Sequence, residues 1–216
     1  MIPRPAPLIG PLLGLYAITP DELPPERLSA LLAAALAGGV RLVQFRSKDA
    51  SMDLKRSQAA ALLKLCRASG ARLIINDDLA LALELGADGV HLGRDDGDPA
   101  LARRALGPGR ILGVSCYGDL AAAEAAAAAG ADYLAFGSVF ASSTKPQAPR
   151  IALELLGEAK RRFGLPVAAI GGITLDNAAQ TLAAGADLLA VVADLFDAGD
   201  AAAVRARARN YQKLFE

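Results

Sequence analysis

The chain has no tryptophan, one histidine and two cysteines, and aromatic residues make up only 5% of it. So few aromatics argue against the stacking platforms on which single-stranded nucleic acids bind. Net charge is also missing, because 23 Lys and Arg balance 23 Asp and Glu. A neutral chain does not gather nucleic acid or an anionic membrane, and neither is expected as a partner. Cys66 and Cys116 lack metal-site spacing and are too few for a disulfide framework. They read as small buried hydrophobes of a cytoplasmic protein. No run approaches the ~18 apolar residues of a membrane span. The opening, "MIPRPAPLIGPLLGLYAI", is broken by prolines at 3, 5, 7 and 11. A secretory leader needs an unbroken apolar stretch and a small-residue cleavage site. Residues about 1–12 therefore read as a short irregular arm.

What the chain does have is a repeated phrase. "AGGVRLVQF" at 37–45, "LGADGVHLG" at 85–93, "AGADYLAFG" at 129–137 and "AGADLLAVV" at 184–192 are variants of one pattern. Each follows an Ala/Leu-rich helical segment, turns on Gly39, Gly86, Gly130 or Gly185, and enters a short apolar strand. Glycine lets a helix C-terminus reverse direction in left-handed geometry. Strands that are apolar throughout are those covered on both faces. Four more strand candidates, at 14–19, 72–77, 110–116 and 166–172, bring the total to eight. Helical segments are expected at about 26–37, 51–69, 78–85, 99–106, 119–129, 151–163, 175–184 and 200–214. Eight βα units without a linker predict a single-domain α/β fold over residues 1–216, a (β/α)8 TIM barrel. An open doubly wound sheet is the alternative, but no G-x-G-x-x-G follows the first strand.

In such a barrel the chemistry sits at the C-terminal ends of the strands. The second strand ends in Gln44-Phe45-Arg46-Ser47-Lys48. Alternate residues of extended backbone face one way, so Gln44, Arg46 and Lys48 can converge on one anion. The third strand ends in Asn76-Asp77-Asp78; Asp78 reads as a helix N-cap, leaving Asn76 and Asp77 to be explained. After the fourth, Asp98-Pro99 reads as a cap with proline at the first helical position, and Asp95 and Asp96 stand in the preceding loop. A carboxylate after each of two adjacent strands suits Mg2+, which usually takes one or two carboxylates and fills its shell with water and substrate phosphate. His91 lies within the fourth strand, where a histidine is more often a satisfied core residue than a catalyst.

The fifth strand ends at Ser115, and the sixth leads into "GSVFASSTKPQAP". That aperiodic segment reads as an active-site loop carrying Ser142, Ser143, Thr144 and Lys145. The seventh ends in Gly171-Gly172 before a helix, where backbone N–H groups form a phosphate cradle. Across the eighth strand's end, Val192 and Ala193 add main chain only. The rim thus holds a charged anion site suited to a metal-bridged pyrophosphate and a neutral one suited to a single phosphate. Two phosphorylated ligands over one barrel mouth imply group transfer.

With these residues in place, the chain resembles the thiamine-phosphate synthase family. The resemblance rests on "QFRSK", "IINDDLALAL", "GADGVHLGRDD", "GVSCY", "FGSVFASSTKP" and "AIGGIT", in order and on the expected strand ends. It implies a transferase that joins 4-amino-2-methyl-5-(diphosphooxymethyl)pyrimidine to a thiazole phosphate and releases pyrophosphate. It assigns Gln44, Phe45, Arg46, Ser47, Lys48, Asn76, Ser115 and Lys145 to the pyrimidine pyrophosphate, and Asp77 and Asp96 to Mg2+. Ser142, Ser143, Thr144, Gly172, Val192 and Ala193 would hold the thiazole phosphate. The implied mechanism is dissociative, with Arg46, Lys48 and Lys145 as catalytic cations on the leaving group. Ala193 stands where members can carry serine, and Ser47 and Ala141 where a charged residue and a proline are common. The related thiazole tautomerase is the rival on the same barrel, although it would not need the two aspartates together with three cations. A non-catalytic binder of thiamine metabolites is the rival of another class. The residues leave the oligomeric state, including a homo-oligomer, open.

Overall fold

The structure, a computed structural model, describes residues 12–21, 23–141, 147 and 149–216. The N-terminal arm expected at about 1–12 lies, but for Leu12, outside the described residues. In chain order the elements are β1 (Gly14–Ile18), α1 (Pro25–Ala37), β2 (Leu42–Phe45), α2 (Met52–Ala68), β3 (Arg72–Asn76) and α3 (Leu79–Leu85). Next come β4 (Gly89–Leu92), α4 (Pro99–Leu106), β5 (Ile111–Tyr117), α5 (Leu120–Ala128), β6 (Tyr133–Gly137) and α6 (Glu154–Phe163). The chain closes with β7 (Val167–Ile170), α7 (Leu175–Ala183), β8 (Leu188–Val191), α8 (Ala193–Phe196) and α9 (Ala201–Gln212). The eight strands form a closed parallel barrel in sequence order, with β8 returning to β1 through the Gly14–Leu188 register. This is the expected (β/α)8 barrel.

Strand alternation divides the core into two compartments. Tyr16, Leu42, Ile74, Ile111, Tyr133 and Leu188 fill the barrel interior. Leu15, Val43, Phe45, Leu73, Ile75 and Leu134 point outward, beneath the helices. Each large aliphatic side chain withdrawn from water contributes about 1.5–3 kcal/mol, the main force on the fold. Cys66 and Cys116 belong to the outer layer, and burial pushes both thiols up to about 12, which leaves them unreactive.

The repeated phrase is built into the bottom of the barrel. Asp88, Asp132 and Asp187, each two residues after the phrase glycine, accept the N–H groups of Leu73, Leu112 and Val167 at 2.8, 2.7 and 3.0 Å. Their own N–H groups donate back to the carbonyls of the same three residues. Each aspartate thereby clamps its strand to the preceding one. Arg41 takes the corresponding place in the first phrase and makes no such clamp; its guanidinium donates to the Leu36 and Val40 carbonyls.

Asp78 and Asp98 cap α3 and α4, accepting from Leu81 and Ala100, as expected from the sequence. One helix start and one additional element stand out from the expectation. Helix α6 begins at Glu154, after a segment anchored to β6 by the Ile151 N–H on the Ser138 carbonyl. The four-residue α8 directly follows β8 and was not expected.

Candidate active site

The C-terminal rim is asymmetric, and its charged side is built first by β1 and β2. Strand β2 ends at Phe45, so the three polar residues expected to converge part company. Gln44 still faces inward and is buried, with its amide nitrogen donating to the Tyr16 hydroxyl at 2.7 Å. Phe45 faces outward into the core beneath the helices. Beyond the strand, the Arg46 backbone and the Thr19 hydroxyl bond each other twice. Arg46 donates its guanidinium to Asp21, and Asp21 also accepts the Lys48 N–H at 2.9 Å. One carboxylate after β1 therefore fixes the backbone that presents both cations. Lys48 is exposed and, with Ser47, Lys55, Asn76 and Asp77, lines a cavity of about 240 Å3.

Asp77 follows β3 with a left-handed φ of 63° and is tied to β4 by donating its N–H to the His91 carbonyl at 2.8 Å. A non-glycine residue adopts that conformation at a cost, and such strain clusters at functional sites. Asp96 is fixed from the next loop, its carboxylate accepting the Gly93 N–H at 2.9 Å. The two carboxyls lie within hydrogen-bond reach of each other. Burial first, and then the neighbouring Asp96, push the Asp77 carboxyl up to about 6, while Lys48 and Asn76 pull it down. A carboxyl raised by burial and by a second carboxylate beside it forms, with that neighbour, a donor set that a divalent cation relieves. Among the described residues no third acidic, imidazole or thiol group completes a protein cage. The pair thus fits a hard cation that keeps water and substrate oxygens in its shell, as magnesium does.

On the neighbouring β5, Ser115 Oγ lies 2.8 Å from His91 Nε2, and the other ring nitrogen meets the Tyr133 hydroxyl at 2.9 Å. Both imidazole nitrogens are satisfied, and burial lowers His91 to about 4, so the ring is neutral near pH 7. The core role expected for this histidine is what the structure shows.

The opposite side of the rim is built, among the described residues, on glycine turns. Gly171 and Gly172 both have positive φ, and a Cβ on either would come within 2.1 Å of Ser138 or the Ala141 carbonyl. Their glycines are required for the close approach of the β6–α6 loop, whose Val139 and Phe140 N–H groups donate to Ile170 and Gly171. The N–H groups of Gly172 and Ala193 donate to no backbone carbonyl among the described residues. Ser142, Ser143, Thr144 and Lys145 lie outside the described residues.

Sequence reading passed over Thr19 and Asp21, which stand in "TPDE" after β1 and look like an ordinary turn. The absence of any assigned polar residue at the end of the first strand was the available signal. It also passed over Lys55 of α2, whose ammonium donates to the Lys48 carbonyl at 3.0 Å.

Comparison with known proteins agrees with this geometry. The family model described as thiamine monophosphate synthase matches residues 15–195. A thiamine-phosphate synthase of Methylobacillus flagellatus is 56% identical over 207 residues, covering 96% of this chain and 97% of that protein. One of Aromatoleum aromaticum is 56% identical over 205 residues, covering 95% and 97%. The solved thiamine phosphate pyrophosphorylase of Pyrococcus furiosus superposes with a TM-score of 0.83 at 36% identity, covering 94% of this chain and 95% of that one. With the family match running from the first strand to the helix after the last, the chain belongs to the thiamine monophosphate synthase family.

Proposed function

We propose that the chain catalyses thiamine phosphate formation from 4-amino-2-methyl-5-(diphosphooxymethyl)pyrimidine and a thiazole phosphate. The bond from the pyrimidine methylene to the diphosphate oxygen breaks, and its electron pair leaves with the diphosphate. The electron-rich aminopyrimidine stabilises the resulting methylene cation. The thiazole nitrogen then supplies the electron pair of the new C–N bond.

The observation that carries this reading is the Asp77–Asp96 pair beside Lys48, at the mouth of the barrel. Asp77 and Asp96 would hold Mg2+, which when bound supplies positive charge to the diphosphate oxygens. Arg46, Lys48 and Lys145 stabilise the leaving diphosphate, where negative charge grows. Preorganised charge of this kind is usually the largest catalytic contribution. Asn76 and Ser115 orient the same substrate, with Gln44 against its ring and the Phe45–Ser47 backbone beside it. Ser142, Ser143, Thr144, Gly172, Val192 and Ala193 receive the thiazole phosphate, largely through main-chain N–H groups. Such a neutral site suits one phosphate and does not compete for the diphosphate.

Incubating the protein with both substrates and Mg2+ tests the reading. Pyrophosphate and thiamine phosphate should appear in equal amounts. No product with metal present overturns it.

A further inference from the structure

Five side chains inside the barrel form one unbroken hydrogen-bonded chain. The Gln44 amide nitrogen reaches the Tyr16 hydroxyl at 2.7 Å, Tyr16 reaches Tyr133 at 2.7 Å, and Tyr133 reaches His91 Nδ1 at 2.9 Å. His91 Nε2 completes it on Ser115 Oγ at 2.8 Å. The chain links β2, β1, β6, β4 and β5, and its two ends are both residues assigned above to the pyrimidine. Its middle members are sealed from water, with Tyr16 and Tyr133 at 1% and 0% exposure.

The middle is also geometrically locked. Tyr16 and Tyr133 meet edge to face, at 89° with centroids 5.7 Å apart, and His91 stacks on Tyr133 at 5.6 Å. Space for the Tyr133 ring comes from Gly113, its register partner on β5. A Cβ there would stand 2.0 Å from Tyr133 Cζ. Among the described residues no carboxylate or cation is hydrogen-bonded to Tyr16, Tyr133 or His91.

Counting protons gives the chain a direction. A neutral hydroxyl has one proton to donate. Tyr16 accepts from Gln44, so its proton goes to Tyr133. Tyr133 then passes its own to His91 Nδ1. His91 must therefore carry its ring proton on Nε2 and donate it to Ser115, whose proton is left for a ligand. At the other end, Gln44 Oε1 accepts nothing from the described residues.

We propose that this chain is a one-way relay that sets the polarity of the pyrimidine subsite, Gln44 presenting an acceptor and Ser115 a donor. Tyr16, Tyr133 and His91 are its positioning residues. The inference rests on the function proposed above, and it explains selection of a 4-aminopyrimidine. An exocyclic amino group donates to Gln44 Oε1, while a ring nitrogen or diphosphate oxygen accepts from Ser115. A 4-oxo analogue would set a carbonyl oxygen against the Gln44 oxygen and leave both without a proton. Mispaired polar groups of this kind give strong discrimination.

The test has two arms. His91 is the only histidine, so a long-range proton–nitrogen correlation spectrum of tag-free, 15N-labelled protein reads its tautomer without assignment. The protonated nitrogen should be Nε2, and Tyr133→Phe, which removes the donor to Nδ1, should give a tautomer mixture. A wild-type Nδ1–H tautomer, or no change in Tyr133→Phe, overturns the relay. Calorimetry without the thiazole partner then compares the 4-amino pyrimidine diphosphate with its 4-oxo analogue. The wild type should prefer the amino form by about 100-fold, and Tyr133→Phe should cut that ratio about 10-fold, because the Gln44 amide is freed to invert. An unchanged ratio overturns the selectivity role. If neither pyrimidine binds, the function proposed above fails and the selectivity role with it, while the histidine signal still decides the relay.

Discussion

At the N-terminal end of the barrel, Asp88, Asp132 and Asp187 each accept a backbone N–H from the neighbouring strand. Two of them are also neutralised by a cation, Asp132 by Arg103 at 2.5 Å and Asp187 by Lys160 at 2.7 Å. At the C-terminal end, Asp77 has a second carboxylate, Asp96, beside it, and Lys48 offsets only part of the effect. The same side chain thus closes a strand pair at one end and, at the other, meets a like charge that raises Asp77. Partners decide which role an aspartate has: a carboxylate given a strand N–H and a cation stabilises the fold, and one set beside a second carboxylate suits a divalent cation.

The largest expected break in this contrast is Asp77→Asn or Asp96→Asn. Each should lower kcat/KM by about 10²-fold or more, as expected when a preorganised charge is lost at a leaving group. Thermal stability should hold or rise, because a repulsion has been removed. Melting curves alongside initial rates check both halves. At the other end, Asp132→Ala should do the reverse. Arg103 is only 5% exposed and would lose its one charged partner among the described residues. Breaking a buried pair costs about 3–5 kcal/mol, roughly 10 °C in Tm for a chain of this size. The rate per folded molecule should be unchanged, provided it is assayed well below the transition.

A smaller effect is expected from Asp21→Asn, which sits between the two cases. Asp21 has a cationic partner, as the bottom aspartates do, yet its partner is a proposed catalytic group. Loss of a charge-assisted hydrogen bond should raise KM for the pyrimidine diphosphate about 10-fold with a lesser change in kcat. An equal fall in kcat would make Asp21 part of the chemistry.

The barrel was legible because its signals are local and repeated. A glycine turn, an apolar strand and a capped helix recur along the chain, and every repeat confirms the others. Helix α8 escaped because four residues running straight on from β8, with no side-chain cap, give no periodicity to read. In the site, residues after strands were legible as polar groups out of place. The relay was not, because Tyr16 and Tyr133 sit in apolar runs 117 residues apart and read as core aromatics. Their hydroxyls acquire meaning only when closure brings β1 opposite β6. Similarly, the phrase "GAD" drew attention to its glycine, whereas the strand clamp lies in its aspartate.

The facing carboxylates are tested most directly by thermal melting of metal-free protein, with and without Mg2+ and inorganic diphosphate, at about pH 5 and about pH 7.5. Asp77 in the folded chain holds its proton up to about 6, above its ordinary value of 3.8. Its favourable contribution is therefore fully present below that ordinary value and is lost as pH rises through about 6. The metal-free protein should lose stability across that window, and Mg2+ should restore it at the higher pH while doing little at the lower. Asp77→Asn should show neither the slope nor the rescue. An identical Mg2+ response in wild type and Asp77→Asn, or none in the wild type with diphosphate present, would contradict the account.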